Sequence, residues 1–348
     1  MKILIFIYCI LIILFKTGNV LSDNNIFNVN NVEIIKENSK NKEEMINKAF
    51  KKAFDKLINR LLLEEDYKKI SNTNLDQIKK LISYYQITKQ NERNVNKNNK
   101  KINIFFDKNR IHNFFYSKNI FYSDIISTEV ILFPLLKKEE QYFIYTQNYF
   151  YENWTKDRLN NLIEYILPVE NIENIQKINL NKDNIYKLEI SDFFKEHKTK
   201  NVVFVNIEVN KDKADIFLKT RIEGKKINKN LSFEKKVDVS EETFYKEIIL
   251  EVDKEIKDLI KSQNLIDVRT PSFLNAKIKL NNKNNLIKFK ERLKKIDLIN
   301  NFYVQQLSKD YVLVKIKYLG KINKIINKLK DEKINLIMIA GEWQLNII

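Results

Sequence analysis

The part of the chain after Pro271 has the clearest alternation of secondary-structure patterns, and it restricts the fold more than any other feature. Strands are predicted at NAKIKL, NNFYVQQL, YVLVKIKYL and INLIMIA, where β-branched and aromatic residues are frequent. Helices are predicted at NNLIKFKERLKKI and KINKIINKLK, where apolar residues recur at helical spacing. This βαββαβ order is the ferredoxin-like plan, a four-stranded sheet with both helices on one face. We therefore predict a ferredoxin-like domain over residues 272–348.

The preceding residues predict further helices and strands in an α+β arrangement. Asn41, followed three residues later by Glu44, resembles a capping box for a long helix whose apolar stripe reaches Leu62. Other helices are predicted at 74–83, 107–119, 155–166, 190–197 and 241–261. Strands are predicted at 26–35, 101–106, 128–136, 141–147, 201–209 and 214–224. With 348 residues, two or three α+β domains are expected, and we place them at 23–154, 155–268 and 272–348.

Residues 1–22 have the layout of a secretory signal peptide. A basic head precedes thirteen apolar residues from Ile3 to Phe15, and Ser22 offers a small side chain at the cleavage position. Thirteen helical residues reach only about 20 Å, short of the roughly 30 Å core of a bilayer. Cys9 lies inside the apolar run, whereas a lipid-attachment cysteine would follow it. We predict cleavage after Ser22 and a periplasmic location, with an inner-membrane anchor facing the periplasm as the alternative.

The formal net charge of +17 raises the question of a polyanionic partner. Lysines are scattered along the sequence and often stand beside acids, as in KNKEE, LKKEEQ and DKEIKD. The abundance of Lys, Asn and Ile is also typical of an AT-rich bacterial genome. The sequence therefore favours a solvated surface, with peripheral contact to an anionic membrane left open.

The sequence contains few of the residue types that enzymes commonly use for catalysis. The chain contains one cysteine, Cys9, and two histidines, His112 and His197, which excludes disulfides in the mature protein and disfavours Cys or His catalysis and zinc sites. Its four glycines cannot form a phosphate-binding loop. We predict no catalytic, cofactor or metal site. A glycan hydrolase that uses two carboxylates needs none of these residues and stays the alternative.

Seven aromatic residues crowd positions 142–154, and their role decides between a core and a binding surface. Because aromatic residues in strands mostly fill sheets, core packing is the preferred interpretation. The best candidates for an exposed interaction patch are Tyr149, Tyr151 and Trp154, at the end of the predicted hairpin.

RNA binding is a further alternative, because some ferredoxin-like sheets stack bases on aromatic side chains. The predicted strands of the last domain carry Phe302, Tyr303, Tyr311 and Tyr318. They lack the glycine-containing pattern of those RNA-binding domains, and an export signal precedes them. We therefore predict no nucleic-acid partner.

Residues 105–154 resemble a segment of a family of exported proteobacterial envelope proteins of unknown function. The matching positions are Phe106, Asp107, Phe133, Pro134, Leu135 and Trp154, with Asn148, Tyr149 and Phe150 near the family's asparagine and aromatic. Residues 45–62 and 165–178 resemble its first helix and a later proline-containing phrase. The resemblance implies an envelope protein of α/β domains with a C-terminal ferredoxin-like module, and it implies no reaction.

Together these features predict a non-enzymatic exported protein that acts by binding. The expected role is assembly or scaffolding, and the expected partner is an envelope protein or the cell wall.

Overall fold

The computed structural model describes residues 25–35, 41–88, 99–156, 162–189, 193, 201–279 and 284–347. The predicted leader with its cleavage site after Ser22, the single cysteine Cys9 and the histidine His197 lie outside these residues. So does nearly all of the helix predicted at 190–197.

The described residues confirm an α+β fold. The helices are α1 (Lys42–Leu61), α2 (Glu64–Ile70), α3 (Leu75–Leu81), α4 (Lys108–Lys118), α5 (Tyr149–Asn153), α6 (Ile172–Leu180), α7 (Glu241–Ser262), α8 (Asn284–Lys294) and α9 (Ile322–Asp331), with a 3₁₀ helix at Lys182–Lys187. The strands are β1 (Asn28–Ile35), β2 (Ile82–Thr88), β3 (Asn99–Phe106), β4 (Tyr122–Ser123), β5 (Thr128–Lys138), β6 (Gln141–Phe143), β7 (Ile163–Ile166), β8 (Val202–Asn210), β9 (Lys213–Ile222), β10 (Lys225–Glu234), β11 (Leu265–Ile266), β12 (Ser272–Lys279), β13 (Ile299–Leu307), β14 (Tyr311–Tyr318), β15 (Ile334–Ile339) and β16 (Glu342–Ile347). Along this part of the chain, no helix has both the length and the apolar character needed to cross a membrane.

The chain forms two compact units that are not continuous in sequence. Unit 1 comprises Met1–Leu57, Thr73–Ile120 and Ile266–Ile348, and unit 2 comprises Ile58–Asn72 and Phe121–Leu265. This division differs from the domains predicted at 23–154 and 155–268. The reason is long-range strand pairing, which sequence patterns do not reveal: β5 pairs in parallel with β8, so residues on both sides of 154 share one sheet.

The first part of unit 1 is an antiparallel sheet in the order β1-β3-β2, accompanied by α1 and α4. The first turns of α1 and α4 are both capped by side chains. Asn41 Oδ1 accepts a hydrogen bond from Glu44 N at 2.8 Å, and Asp107 Oδ1 accepts one from Arg110 N at 2.9 Å. These caps satisfy backbone donors at each helix N-terminus, where no carbonyl of the same helix is within reach.

The second part of unit 1 contains a five-stranded sheet in the order β13-β14-β12-β16-β15. The predicted four-stranded ferredoxin-like plan is not confirmed, because a further strand, β16, follows the last predicted one. Ala340 and Gly341 have φ angles of 51° and 81°, as a two-residue hairpin turn requires. This turn returns β16 to lie between β15 and β12, where it pairs with β12 in parallel. The predicted helix positions Phe289, Leu293, Ile325 and Leu329 are buried.

Unit 2 is built on a sheet in the order β10-β9-β8-β5-β6, with β7 also paired to β5. The helix predicted at 155–166 is wrong over Ile163–Ile166, which form β7 parallel to the start of β5. Tertiary pairing thus overrides the local helical pattern there. One face of the sheet packs against α7 through the predicted residues Phe244, Ile248, Val252, Ile256 and Ile260. The opposite face carries a second core, which includes Phe133, Tyr145, Phe193 and Phe204.

Candidate functional site

The aromatic segment at 142–154 is mainly core, as the preferred interpretation predicts. Trp154 and Phe150 are fully buried in the core beneath α7, and Tyr145 is buried in the core of the opposite face. Trp154 is therefore not part of an exposed patch, which corrects its assignment as a candidate interaction residue. It is buried because α5 turns its side chain inward, where it meets the ring of Tyr165 edge-on at 6.1 Å.

The other two predicted patch residues are half-buried and engaged in packing. The Tyr149 ring lies 5.1 Å from that of Tyr245, and Tyr151 donates a hydrogen bond to the carbonyl of Pro168 at 2.8 Å. The structure therefore does not bring Tyr149, Tyr151 and Trp154 together on a free surface.

A fully buried asparagine organises this segment. Asn148 Nδ2 donates to the carbonyls of Pro134 and Phe143 at 2.9 and 3.1 Å, and its Oδ1 accepts from Phe150 N at 3.0 Å. One side chain thus satisfies two strand carbonyls and caps α5. Phe133, Pro134, Asn148, Phe150 and Trp154, which carry the resemblance noted from the sequence, therefore occupy structural positions.

The described histidine is a packed side chain. His112 is 6% exposed and meets the ring of Phe27 edge-on at 5.4 Å. Burial, with a smaller contribution from the positive charge of Lys108, lowers the pKa of His112 to about 4. The ring is consequently neutral at pH 7 and lies in a core without the setting of a general base.

Carboxylates can bind a metal ion or act as a catalytic pair, so their surroundings in the described part of the chain are relevant to both chemistries. No three His, Cys, Asp or Glu side chains there are grouped closely enough to hold a metal ion. Two of the buried carboxylates have cationic partners: Asp66 lies 2.8 Å from Lys69, and Asp253 lies 2.7 Å from Lys257. Asp253 also accepts a hydrogen bond from Tyr165 at 2.9 Å. These two acids therefore hold structure together instead of facing each other across a cleft.

A different surface has the composition of a binding site: the side of the C-terminal sheet on which Phe273, Tyr303 and Tyr311 lie. We call it the basic aromatic face. It consists of the alternate positions of three neighbouring strands, namely Phe273, Asn275, Lys277 and Lys279 of β12, Tyr311, Leu313, Lys315 and Lys317 of β14, and Tyr303 of β13. The intervening residues of β12 and β14 are buried, which places these positions on the outer side. Phe273 is 51% exposed and Tyr303 47%.

The pairing register of β12 and β14 arranges cations and rings in a checkerboard. Phe273 is directly opposite Lys317, and Lys279 is directly opposite Tyr311. On the diagonals, Lys277 Nζ lies 4.3 Å from the centre of the Tyr311 ring, and Lys315 Nζ lies 4.5 Å from the centre of the Phe273 ring. No lysine is directly opposite another in this register, which limits repulsion. The ammonium groups of Lys277 and Lys315 are thus oriented over rings by cation–π attraction.

Acidic side chains are missing from this checkerboard. The sequences of β12 and β14, SFLNAKIK and YVLVKIKY, contain no Asp or Glu. Within the described ranges, no carboxylate lies at ion-pair distance from Lys277, Lys279, Lys315 or Lys317. The face therefore combines four lysines that have no ion-pair partner among the described residues with exposed aromatic rings. Glu342 of the neighbouring strand β16 lies on the same side of the sheet, because Gln344, two residues further on, is opposite Lys277.

Charge runs along the sequence do not reveal this face, because its lysines come from two separate segments. The repeated pattern Lys-Ile-Lys in both NAKIKL and VLVKIKY is the signal that could have found it. In a strand this spacing puts both lysines on one side. Of the aromatic residues considered for RNA binding, Tyr303 and Tyr311 lie on the face, while Tyr318 is buried and Phe302 meets the core residue Phe289 edge-on at 5.8 Å.

In comparisons with known proteins, no protein-family model, curated protein or solved structure matches the chain.

Proposed function

We propose that the protein is exported, with cleavage after Ser22, and acts in the bacterial envelope as a non-enzymatic binding protein. Its basic aromatic face docks on the anionic headgroups of a phospholipid membrane. The observation that carries the proposal is the row of four lysines on β12 and β14, none of which has a described carboxylate at ion-pair distance. Docking keeps the rest of the chain at the membrane surface, where an assembly or scaffold role is exercised.

The electrostatic support comes from proximity. In the register of β12 and β14 the four lysines form a row with two-residue steps, in the order Lys317, Lys315, Lys277 and Lys279. Successive lysines are therefore about 7–8 Å apart, within a Debye length of about 10 Å at 0.1 M salt, and the whole row is about 20 Å long. A lysine near an anionic membrane surface contributes about 1 kcal/mol. Four lysines on one side can act together, whereas the same number spread around a globule cannot face one surface.

The aromatic residues give the face a second kind of contact. Phe273 and Tyr303 are about half exposed, and aromatic rings prefer the headgroup level of a bilayer, where one end is apolar and the other wet. Lysine stems also cover apolar surface while their ammonium groups stay in water. Membrane phosphates would draw Lys277 and Lys315 from the rings that now orient them, and the freed rings would enter the interface.

Two experiments test the proposal. Fractionation of cells that express the full chain checks export, and we expect the protein in the envelope fraction with a new N-terminus at Asp23. Recovery of the intact chain, beginning at Met1, in the cytoplasm would contradict it.

Co-sedimentation of the purified protein with lipid vesicles checks the partner. We expect binding to phosphatidylglycerol vesicles, weakened by salt, and little binding to neutral phosphatidylcholine vesicles. Labelled single-stranded RNA at physiological salt is the comparison ligand, because exposed aromatics and lysines also suit unstacked bases. Binding to RNA without binding to anionic vesicles would overturn the membrane proposal.

A further inference from the structure

A cleft of about 630 Å³ lies over the outer strands of the unit 2 sheet, and it plays no part in the proposed function. Its floor is formed by β9 and β10, including Phe217 and the polar side chains Asp215, Asn230 and Ser232, and Tyr186 rises at its side. In register, Phe217 is opposite Asn230 and Asp215 is opposite Ser232, so these four side chains share one side of the sheet. The volume is within the range of small-ligand sites, about 300–1,000 Å³.

The wall of the cleft is held in place by a lysine. Tyr186 belongs to the 3₁₀ helix Lys182–Lys187. Lys219 Nζ donates hydrogen bonds to the carbonyls of Tyr186 and Leu188, at 3.2 and 2.6 Å. The Tyr186 ring meets that of Phe217 at 79°, with 5.0 Å between the ring centres. Two rings at nearly a right angle therefore form a fixed apolar corner, and the Tyr186 ring is 52% exposed.

The polar side of the cleft is also organised before any ligand binds. Asp215 accepts hydrogen bonds from Lys213 Nζ at 2.9 Å and Ser232 Oγ at 2.8 Å. These bonds lower the pKa of Asp215, so the carboxylate is ionised at neutral pH. Each of its oxygens keeps a further lone pair, and the exposed amide of Asn230 can both donate and accept.

These charges restrict the class of ligand. An anion would meet the carboxylate of Asp215, and a cation would compete with Lys213, which already neutralises that carboxylate. A purely apolar molecule would displace water from the remaining lone pairs of Asp215 and from the amide of Asn230 without replacing those hydrogen bonds. The remaining class is an uncharged molecule with an apolar face and hydroxyl groups around its rim.

We propose that this cleft binds an uncharged pyranose saccharide with equatorial hydroxyl groups. The C–H face of such a ring stacks on Tyr186 or Phe217, while rim hydroxyls donate to Asp215 and exchange hydrogen bonds with Asn230. Among the described residues that line the cleft, Asp215 is the single carboxylate. Glycoside hydrolysis uses two flanking carboxyl groups, so the role we propose for these residues is binding.

The test uses the purified full chain and two uncharged tetrasaccharides, cellotetraose and chitotetraose, in titration calorimetry with saturation-transfer NMR. Mannitol is the control ligand, since it has hydroxyl groups and no ring face. We expect at least one tetrasaccharide to bind, transfer from the protein to its ring C–H protons, and no binding of mannitol. No binding of either tetrasaccharide at millimolar concentration, or equal binding of mannitol, overturns the proposal.

Variants locate the binding. Tyr186→Ala removes the wall and Asp215→Asn keeps the shape of the acceptor while removing its charge; each should weaken the saccharide roughly tenfold, about 1.4 kcal/mol. Tyr116→Ala, at an exposed tyrosine of α4 in unit 1, should leave the affinity unchanged. Unchanged affinity in both cleft variants, with circular dichroism confirming that they fold, would contradict this site. Loss of saccharide binding leaves vesicle binding intact, which separates this proposal from the proposed function.

Discussion

The sheet of unit 2 and the C-terminal sheet of unit 1 use lysine and aromatic residues in opposite ways. In unit 2 five lysines of the strands have acidic partners: Lys137 pairs with Glu208, Lys138 with Glu241, Lys213 with Asp215, Lys226 with Glu189 and Lys229 with Glu255. Many of its large aromatic residues are buried, among them Phe133, Phe150 and Trp154. On the basic aromatic face, lysines lie over rings and the rings are exposed. The same residue types therefore stabilise one sheet and leave the other as a charged surface.

The two arrangements of lysines contribute differently to the stability of the folded protein. An exposed ion pair contributes only about 0.2–1 kcal/mol, so the pairs of unit 2 mainly neutralise charge. The lysines on the face have no ion-pair partner among the described residues and repel each other, and cation–π contacts of about 0.5–1 kcal/mol each offset part of that repulsion. A face that stability alone does not favour is a reasonable place to look for binding.

The largest expected effect is a difference in unfolding free energy between two variants, one in the unit 2 core and one on the basic aromatic face. Trp154→Ala should lower the free energy of unfolding by about 3–5 kcal/mol, because it leaves a large cavity in the unit 2 core. Phe273→Ala on the face should cost less than about 1 kcal/mol, since the ring is half exposed. Urea denaturation followed by circular dichroism measures both. Equal losses would show that the face is packed like a core.

The next contrast compares two asparagines. Asn148→Ala removes three hydrogen bonds and leaves the buried carbonyls of Pro134 and Phe143 without this donor, so we expect a loss of about 2–4 kcal/mol. Asn275→Ala, at an exposed position of the face, should change stability by less than about 0.5 kcal/mol. The same denaturation experiment decides, and a small effect at Asn148 would refute its organising role.

The third prediction concerns His112, whose ring is buried in unit 1 near the positive charge of Lys108. The pKa of His112 is about 4 in the folded state and near 6.5 when unfolded, so between these values the unfolded chain binds a proton that the folded chain does not. Stability should therefore fall as pH drops from 7 toward 4, by up to about 3 kcal/mol from this group. His112→Leu should flatten that part of the curve. Parallel stability curves for the wild-type protein and the variant would contradict the assignment.

The smallest effect concerns the rings of the face. Phe273→Ala and Tyr303→Ala should each weaken binding to anionic vesicles about three- to tenfold, because each ring adds an interfacial contact of about 1 kcal/mol. Tyr116→Ala, which removes an exposed ring elsewhere, is the matched control and should have no effect. Vesicle co-sedimentation at fixed salt measures all three. Equal affinities would exclude aromatic insertion.

The sequence predicts local features well. The helices α1, α3, α4 and α7, the cap at Asn41 and the core role of most of the aromatic segment at 142–154 follow from periodicity and side-chain chemistry. Features that depend on pairing between strands distant in sequence cannot be predicted from these local patterns. The final strand β16 follows a two-residue hairpin turn at Ala340 and Gly341, and β7 is a strand because it joins β5.

The candidate face escapes sequence analysis for the same physical reason. Lys277 and Lys315 are far apart along the chain, and only the antiparallel register of β12 and β14 puts them on one surface. The cleft over β9 and β10 likewise exists because Lys219 holds Tyr186 beside the sheet. Local patterns report which residues are buried, whereas surfaces assembled from several strands require the pairing itself.

The most direct test of the account compares two variants that lose the same number of charges. The first changes the face lysines Lys277, Lys279, Lys315 and Lys317 to Gln, and the second changes the acid-paired lysines Lys138, Lys213, Lys226 and Lys246 to Gln. Affinity for phosphatidylglycerol vesicles is measured for both against the wild-type protein. We expect the face variant to lose up to about a thousandfold, at about 1 kcal/mol per lysine, and the control to change only several-fold. Equal losses would mean that net charge alone drives binding, and would contradict the basic aromatic face as the site.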